Sequence, residues 1–444
     1  MSDDVVQISA RFDRTLVSEG GDSIRYLFVE LNAKPASLVW QPAAKSAPLN
    51  LAIAIDSSRS MTGSRLKSAI DAAQGIVEGL DEDDFISIVS FSEDAIVHID
   101  GVRCDHSGKR AAHAAIAGIG LRAGTNISEG WFKASECVGT VMLSNRNHKN
   151  HVLILSDGHA NRGTLQAAAL SHHATELQTR GLTASAVGIG DGYSTSQLYA
   201  MAQYGGGRIH HAAHSGEIVE VVYGELMELR DRSIENLKVI VRFPGNVAYK
   251  SLNIFPVDTT HNIASCILGG LSSGASRNAI FRVNIPDGKR NEELEFKIGC
   301  EWRNCGESRM RSNGWHSVSL KFAEPGKNSL QKVDDEAGFH IAKFWQSWVV
   351  WQATNLNRAK DYVRLDRFLL NEIKYFRRFC KAFPPASLLL SELQELSRVA
   401  HEDWDEASRK EIQTETYTTL YGLRDTRSGT RKKWQDYTGE FTRM

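Results

Sequence analysis

The chain of 444 residues sets 52 Lys and Arg against 53 Asp and Glu, a formal net charge of −1, with 42% hydrophobic and 24% charged residues. That length suits about three domains of ordinary globular composition, and the near-neutral charge gives no global attraction to nucleic acid or to an anionic membrane surface. No apolar run approaches the roughly 18 residues of a membrane span, the start Met1–Gln7 is acidic with no apolar core behind it, and the six scattered cysteines form no CxxC pattern; the expectation is a cytoplasmic protein with reduced thiols.

From about Val5 to Trp40 apolar and polar residues alternate (Val6, Ile8, Ala10, Phe12; then Ile24, Tyr26, Phe28) around the turn Ser18–Ser23, which predicts two or three antiparallel strands. These are too few to bury a core alone. At Leu49 the pattern changes to alternating strands and helices. The nearly continuous apolar run Leu51–Ile55 reads as a fully buried parallel strand that stops on Asp56, followed by Ser57, Ser58, Arg59, Ser60 and Met61. A helix through Leu66, Ile70, Ala73, Ile76 and Leu80 follows, then a strand Phe85–Phe91, an edge strand near Ala95–Val102 and a helix near Lys109–Ile119. The loop Leu121–Ser128 opens a helix to about Leu143, and Val152–Ser156 is a second buried strand, ending on Asp157. Helix Thr164–Arg180, strand Thr183–Gly190, helix Ser194–Tyr204, strand Arg208–Ala212 and helix Ser215–Arg232 complete a doubly wound, mostly parallel six-stranded sheet of α/β class.

Alternation returns after Ser233. Leu237–Phe243 make one strand, Ile280–Ile285 another with Phe281, Val283 and Ile285 inward, Leu294–Trp302 a third and Val318–Phe322 a last, with Cys300 and Cys305 expected across a hairpin. Because both β segments lack partners, the economical arrangement is one antiparallel β-sandwich built from both ends, with the α/β unit inserted in it. From about Asp334 the pattern is helical: Phe339–Trp351, then Phe368–Phe379, a break at Pro384–Pro385, and Leu388–Val399, with a basic tail from Arg424 to Trp434. The expected divisions are residues 1–47, 48–233, 234–325 and 326–444, the last a C-terminal α-helical region.

Asp56, Ser58 and Ser60 lie where a parallel strand leaves an α/β sheet at its carboxyl end, the usual ligand position in such sheets. One carboxylate and two hydroxyls are hard oxygen donors suited to Mg²⁺. With Thr125 and Asp157 on two further loops, the sequence resembles the von Willebrand factor A domain, whose metal-ion-dependent adhesion site (MIDAS) is written Asp-x-Ser-x-Ser, then Thr, then Asp. The resemblance covers about Leu49–Ser233, and with the flanking strands it is similar to bacterial proteins that carry this domain inside a β-sandwich. It implies that Ser58, Ser60 and, in one state, Thr125 bind a divalent cation directly, Mg²⁺ first with Mn²⁺ or Ca²⁺ as alternatives, while Asp56 and Asp157 act mainly through water. It also implies that the helix around Glu217–Arg230 shifts when the threonine loop rearranges. Two carboxylates kept one shell back leave the ion short of anionic ligands, so its open position prefers an outside Asp or Glu. Such a site binds a partner without transforming it, which describes an adhesion or scaffold protein and not an enzyme. By family analogy the partner belongs to an ATPase, kinase or phosphatase system.

The family has Gly between the two serines where this chain has Arg59. Either that position needs a positive φ and Arg is strained there, or it does not and the guanidinium projects toward an incoming carboxylate. Other readings are a metal-dependent hydrolase with His159 as base, or a structural module whose metal site stays empty. An aspartyl-phosphate mechanism needs a second acid two residues past Asp56, where Ser58 stands. Gly188-x-Gly190-x-Gly192 lacks the later glycine of a dinucleotide loop. His210 and His211 point to opposite faces of a strand, so with His214 they do not make one metal site.

Overall fold

The structure is a computed structural model of the whole chain, and it describes residues 5–34, 47–145, 147–158, 160, 162–190, 193, 195–212, 214–307 and 309–420. Strands β1 (Val6–Phe12), β2 (Leu16–Ser18) and β3 (Ser23–Ala33) precede β4 (Leu49–Asp56) and helix α1 (Ser64–Gly79). Next come β5 (Phe85–Phe91), β6 (Ala95–Arg103), α2 (His106–Ala117), α3 (Ile127–Ser144), β7 (Lys149–Ser156), α4 (Ala167–Thr179), β8 (Leu182–Ile189), α5 (Thr195–Tyr204), β9 (Gly206–Ala212) and α6 (Ser215–Asp231). The chain continues through β10 (Arg232–Arg242), β11 (Ala248–Ser251), β12 (Val257–Thr260), β13 (Ile263–Ser272), β14 (Ser276–Ile285), β15 (Glu293–Asn304), β16 (Met310–Ser312) and β17 (His316–Ala323). Helices α7 (Pro325–Leu330), α8 (Asp335–Arg358), α9 (Tyr362–Ala382), α10 (Ser387–Val399) and α11 (Glu406–Leu420) follow.

The six strands of the central sheet run in the order β6-β5-β4-β7-β8-β9, parallel except for the antiparallel edge strand β6. Every residue of β4, β7 and β8 is buried. The pleat explains the continuous apolar run in β4: Leu51, Ile53 and Ile55 pack under α1, α2 and α6, whereas Ala52 and Ala54 face α3, α4 and α5. Small alanines on that second face leave room for the fully buried Trp131 of α3. Gly130 allows the same approach, because a Cβ there would stand 2.3 Å from the Phe91 ring. Gly130→Ala should therefore lower stability by about 2 kcal/mol in urea unfolding, and an unchanged midpoint would show that α3 has slack.

The N-terminal strands pair with strands some 250 residues later: β1-β3-β14-β11 form an antiparallel sheet in which Phe28 lies opposite Ile280. A larger sheet, β12-β13-β10-β15-β17-β2, closes with β2 parallel to β17. Rings from the two sheets meet at Phe12–Phe296, 4.9 Å apart, and at Phe243–Phe281, 5.7 Å apart, within a single apolar core that also takes in α8, α9 and α10.

One strand was not read from the sequence, and two expectations need correction. The strand Ile263–Ser272 falls between Phe243 and Ile280, where the sequence reading names no strand, because Gly269 and Gly270 interrupt its pattern; Gly269 has φ +81° opposite an irregular register at Leu237. In β14 the alternate residues Ile280 and Arg282 are as buried as Phe281 and Val283, since α8 and α9 cover the face that period-two reasoning gives to solvent. Cys300 and Cys305 are not across a hairpin: Cys300 is in β15 and Cys305 follows its end, both as free thiols. Trp40 and the basic tail from Arg424 lie outside the described residues.

Candidate metal centre

Three loops at the carboxyl end of the central sheet are tied to one another by backbone hydrogen bonds. Ser57 N donates to Phe91 O at 2.8 Å, Arg122 N to Ser57 O at 2.7 Å, and Asn126 N to Ser92 O at 2.6 Å. Gly124, at φ +82°, lets the Thr125 loop run against Glu93, where a Cβ would stand 3.0 Å from that side chain. Asn126 then caps α3 by accepting from Glu129 N, and Ser128 Oγ accepts from Thr164 N, fastening the chain beyond Asp157 to the same helix end.

Within this frame Asp56 Oδ1 accepts from Ser58 N at 2.9 Å and Oδ2 from Ser156 Oγ at 2.6 Å. Ser58 Oγ and Ser60 Oγ are 2.9 Å apart, and Ser60 Oγ donates to Asp157 Oδ1 at 2.7 Å. Thr125 closes the ring: a methyl group on Gly158 would stand 3.3 Å from Thr125 Cγ2 and 3.6 Å from both Asp56 Oδ2 and Ser60 Oγ. All five residues singled out from the sequence thus converge on one pocket. Asp56, Ser58, Thr125 and Asp157 are buried there, and Ser60 is exposed.

The donor set is all oxygen, which suits a hard divalent cation and not zinc held by nitrogen and sulfur. Among the described residues no three His, Cys, Asp or Glu side chains gather as a competing metal site. Burial pushes the Asp56 carboxyl up to about 6, against the lowering effect of its hydrogen bonds from Ser156 and Ser58, and the neighbouring Asp157 pushes the same way as burial. Two buried carboxylates share the pocket, and among the described residues the cation bonded to them is Arg65, whose Nη1 donates to Asp157 Oδ2 at 2.8 Å and to Ser60 O at 3.3 Å. A divalent ion would offset the two carboxylates, so the residues fit the group.

Arg65 is the site residue that sequence reasoning missed. Its signal was its place on the first turn of α1, directly after the serine loop. The question raised by Arg59 is resolved: it sits in a 3₁₀ turn, Arg59–Met61, and the positive φ of this loop falls on Gly63 at +76°. The side chain is exposed and unstrained. Arg59→Gly should leave cation binding intact and change partner affinity; equal partner affinity by calorimetry would remove the side chain from recognition.

The remaining candidates separate. His210 Nε2 pairs with the buried Glu225 at 2.7 Å, His211 Nδ1 meets Tyr193 Oη at 3.2 Å, and His214 precedes α6, so these histidines share no ligand. Gly188 lies in β8 and pairs with β9, where a Cβ would collide with the Tyr193 ring at 2.3 Å, and Gly190, at φ +63°, turns the chain just past the strand end. His159 and Gly192 lie outside the described residues.

The von Willebrand factor type A domain model matches residues 50–223. An uncharacterized protein of Synechocystis sp., sll0103, is 28% identical over 171 residues, 38% of this chain; the match spans about two fifths of that relative, 39% of its length. Among solved structures, the von Willebrand factor type A protein from Catenulispora acidiphila superimposes with a TM-score of 0.64 at 14% identity, covering 89% of this chain and 96% of the other. The ArnB paralog VWA2 from Sulfolobus acidocaldarius gives a TM-score of 0.59 at 16% identity, with coverage of 94% and 99%. At those identities the two structures speak for the fold, which they share over nearly the whole chain. No helix among the described residues is long and apolar enough to cross a membrane. Segment 50–223 of this chain is therefore a von Willebrand factor type A domain.

Proposed function

We propose that this domain holds a divalent cation, Mg²⁺ foremost, through Ser58, Ser60 and Thr125 with Asp56 and Asp157 behind them, and that the ion captures an Asp or Glu side chain of a protein partner. When bound, the ion supplies a Lewis-acidic position that a carboxylate completes; the chain's own residues fix where that position is. The observation that carries this reading is the convergence of three separate loops on one oxygen-lined pocket, with Ser60 Oγ 2.7 Å from Asp157 Oδ1 and Thr125 against Gly158. Domains of this family commonly mediate metal-dependent protein interactions, which supports it.

On this reading the protein is a cytoplasmic scaffold and not an enzyme. The α/β unit is an insertion in a β-sandwich formed by β1–β3 and β10–β17, and helices α8, α9 and α10 pack into the core of that sandwich. Two carboxylates placed behind the hydroxyls leave the ion's open position to an outside carboxylate, which supports the binding reading. Partner capture tests it: immobilised chain should retain a partner with Mg²⁺, release it with EDTA, and fail to retain it as the Asp157→Ala variant. Retention that ignores both chelator and Asp157→Ala would contradict the proposal. Loosening of α6 on partner binding is the accompanying expectation, read by protease sensitivity around Glu217–Arg230.

A further inference from the structure

From Arg59 and Arg65 we infer that the ligand read by this centre is an acidic pair, two carboxylates close together on the partner, and not a lone Asp or Glu. The inference rests on the metal-dependent capture proposed above and adds the partner's charge pattern. On the loops that carry Thr125 and follow Asp157, Arg122 and Arg162 are already neutralised, by Asp94 and by Glu93. Arg59, next to Ser60, is exposed and its side chain has no partner among the described residues. Arg65 commits only Nη1, to Asp157 and Ser60 O; its Nη2 and Nε donate to nothing among the described residues, and its side chain stays 41% exposed. The Nη2 edge lies along the rim beside Gly190, 3.2 Å from where a Cβ on that residue would stand.

Charge bookkeeping then decides between one carboxylate and two. A divalent ion balances Asp56 and Asp157, so the two guanidiniums leave the loaded centre with two surplus positive charges. One incoming carboxylate on the ion leaves one of them unmet, at the place where free N–H donors project. Guanidinium groups recognise carboxylates through paired, charge-assisted hydrogen bonds. Arg65 is thereby a positioning residue toward Asp157 through one edge and a specificity residue toward the partner through the other, while Arg59 serves specificity alone.

The test compares two blocked tetrapeptides, Gly-Glu-Gly-Gly and Gly-Glu-Gly-Glu, titrated by NMR into the full chain at saturating Mg²⁺ and low salt, with Mg²⁺ binding measured separately. The diacid should bind about fivefold tighter than the monoacid. That preference should shrink in Arg59→Gln and Arg65→Gln, and with added salt in the wild type. Arg59→Gln should keep wild-type Mg²⁺ affinity, which separates partner recognition from metal holding. Equal affinity for the two peptides, both still released by EDTA, overturns the acidic-pair inference and leaves metal-dependent capture standing. Failure of Mg²⁺ to bind, or binding of both peptides that EDTA does not affect, overturns capture itself and the inference with it.

Discussion

Asp56→Asn should make the metal-free protein more stable and at the same time abolish its cation binding. The carboxyl is fully buried and its pKa is raised to about 6 from an ordinary 3.8, with burial the largest cause. A folded-state pKa above the unfolded one means that the native state binds more protons between those two values. Stability of the metal-free chain therefore falls as pH rises through about 4 to 6, and the loss stays in place above pH 6. Its size is about 3 kcal/mol. An asparagine keeps the acceptor for Ser58 N, and the Ser156 hydroxyl can turn to accept from the new amide, so the charge is removed without orphaning either partner. The measurement is chelator-treated thermal unfolding from pH 4 to 8: the wild type should lose stability across this window relative to Asp56→Asn, and the gap should close when Mg²⁺ is added back to the wild type. Parallel curves for the two proteins would show that Asp56 carries no such strain. A residue that destabilises the empty fold is one whose charge is kept for a ligand.

The second large effect is expected far from the metal centre. Glu372 of α9 is buried beneath the β1-β3-β14-β11 sheet and accepts from Lys250 Nζ at 2.8 Å, Arg282 Nη1 at 2.9 Å and Trp345 Nε1 at 2.9 Å. Burial pushes its carboxyl up, but Arg282 first and Lys250 after it outweigh that and hold the pKa below the usual value. This depressed group stabilises the fold above the unfolded carboxyl pKa, and that contribution is lost as pH falls through the folded one. Glu372→Ala leaves Arg282, only 6% exposed, without its counter-charge, and should cost about 3–5 kcal/mol. Urea unfolding would report the loss, and limited proteolysis should find α8 and α9 cut first. A variant as stable as the wild type would mean that the aromatic packing of Trp345 on Tyr26 and Phe376 holds these helices alone.

Where one physical constraint dominates, the sequence could be read directly. A strand covered on both faces carries a nearly continuous apolar run, so Leu51–Ile55 and Val152–Leu155 announced themselves, and an acid at the end of each marked the ligand side of the sheet. Thr125 was legible because a glycine loop and a helix start bracket it. Arg65 was not, since its meaning depends on α1 entering beside the end of β7, a tertiary fact. Arg282 was misread for a similar reason: period two assigns it to solvent, yet helices almost a hundred residues onward cover it and supply its carboxylate. The strand Ile263–Ser272 was hidden by Gly269, whose positive φ absorbs an irregularity in pairing with β10 and breaks the alternation that identifies strands.

The central claim is that hydroxyls from one loop and side chains from two others form a single cation site. Isothermal titration of the full chain with Mg²⁺, beside the Ser58→Ala, Ser60→Ala double variant, tests it most directly. One saturable site in the wild type, weakened at least about a hundredfold in the double variant whose fold is intact by circular dichroism, is the predicted result. Equal binding by the two proteins, or no saturable binding by the wild type, would contradict it.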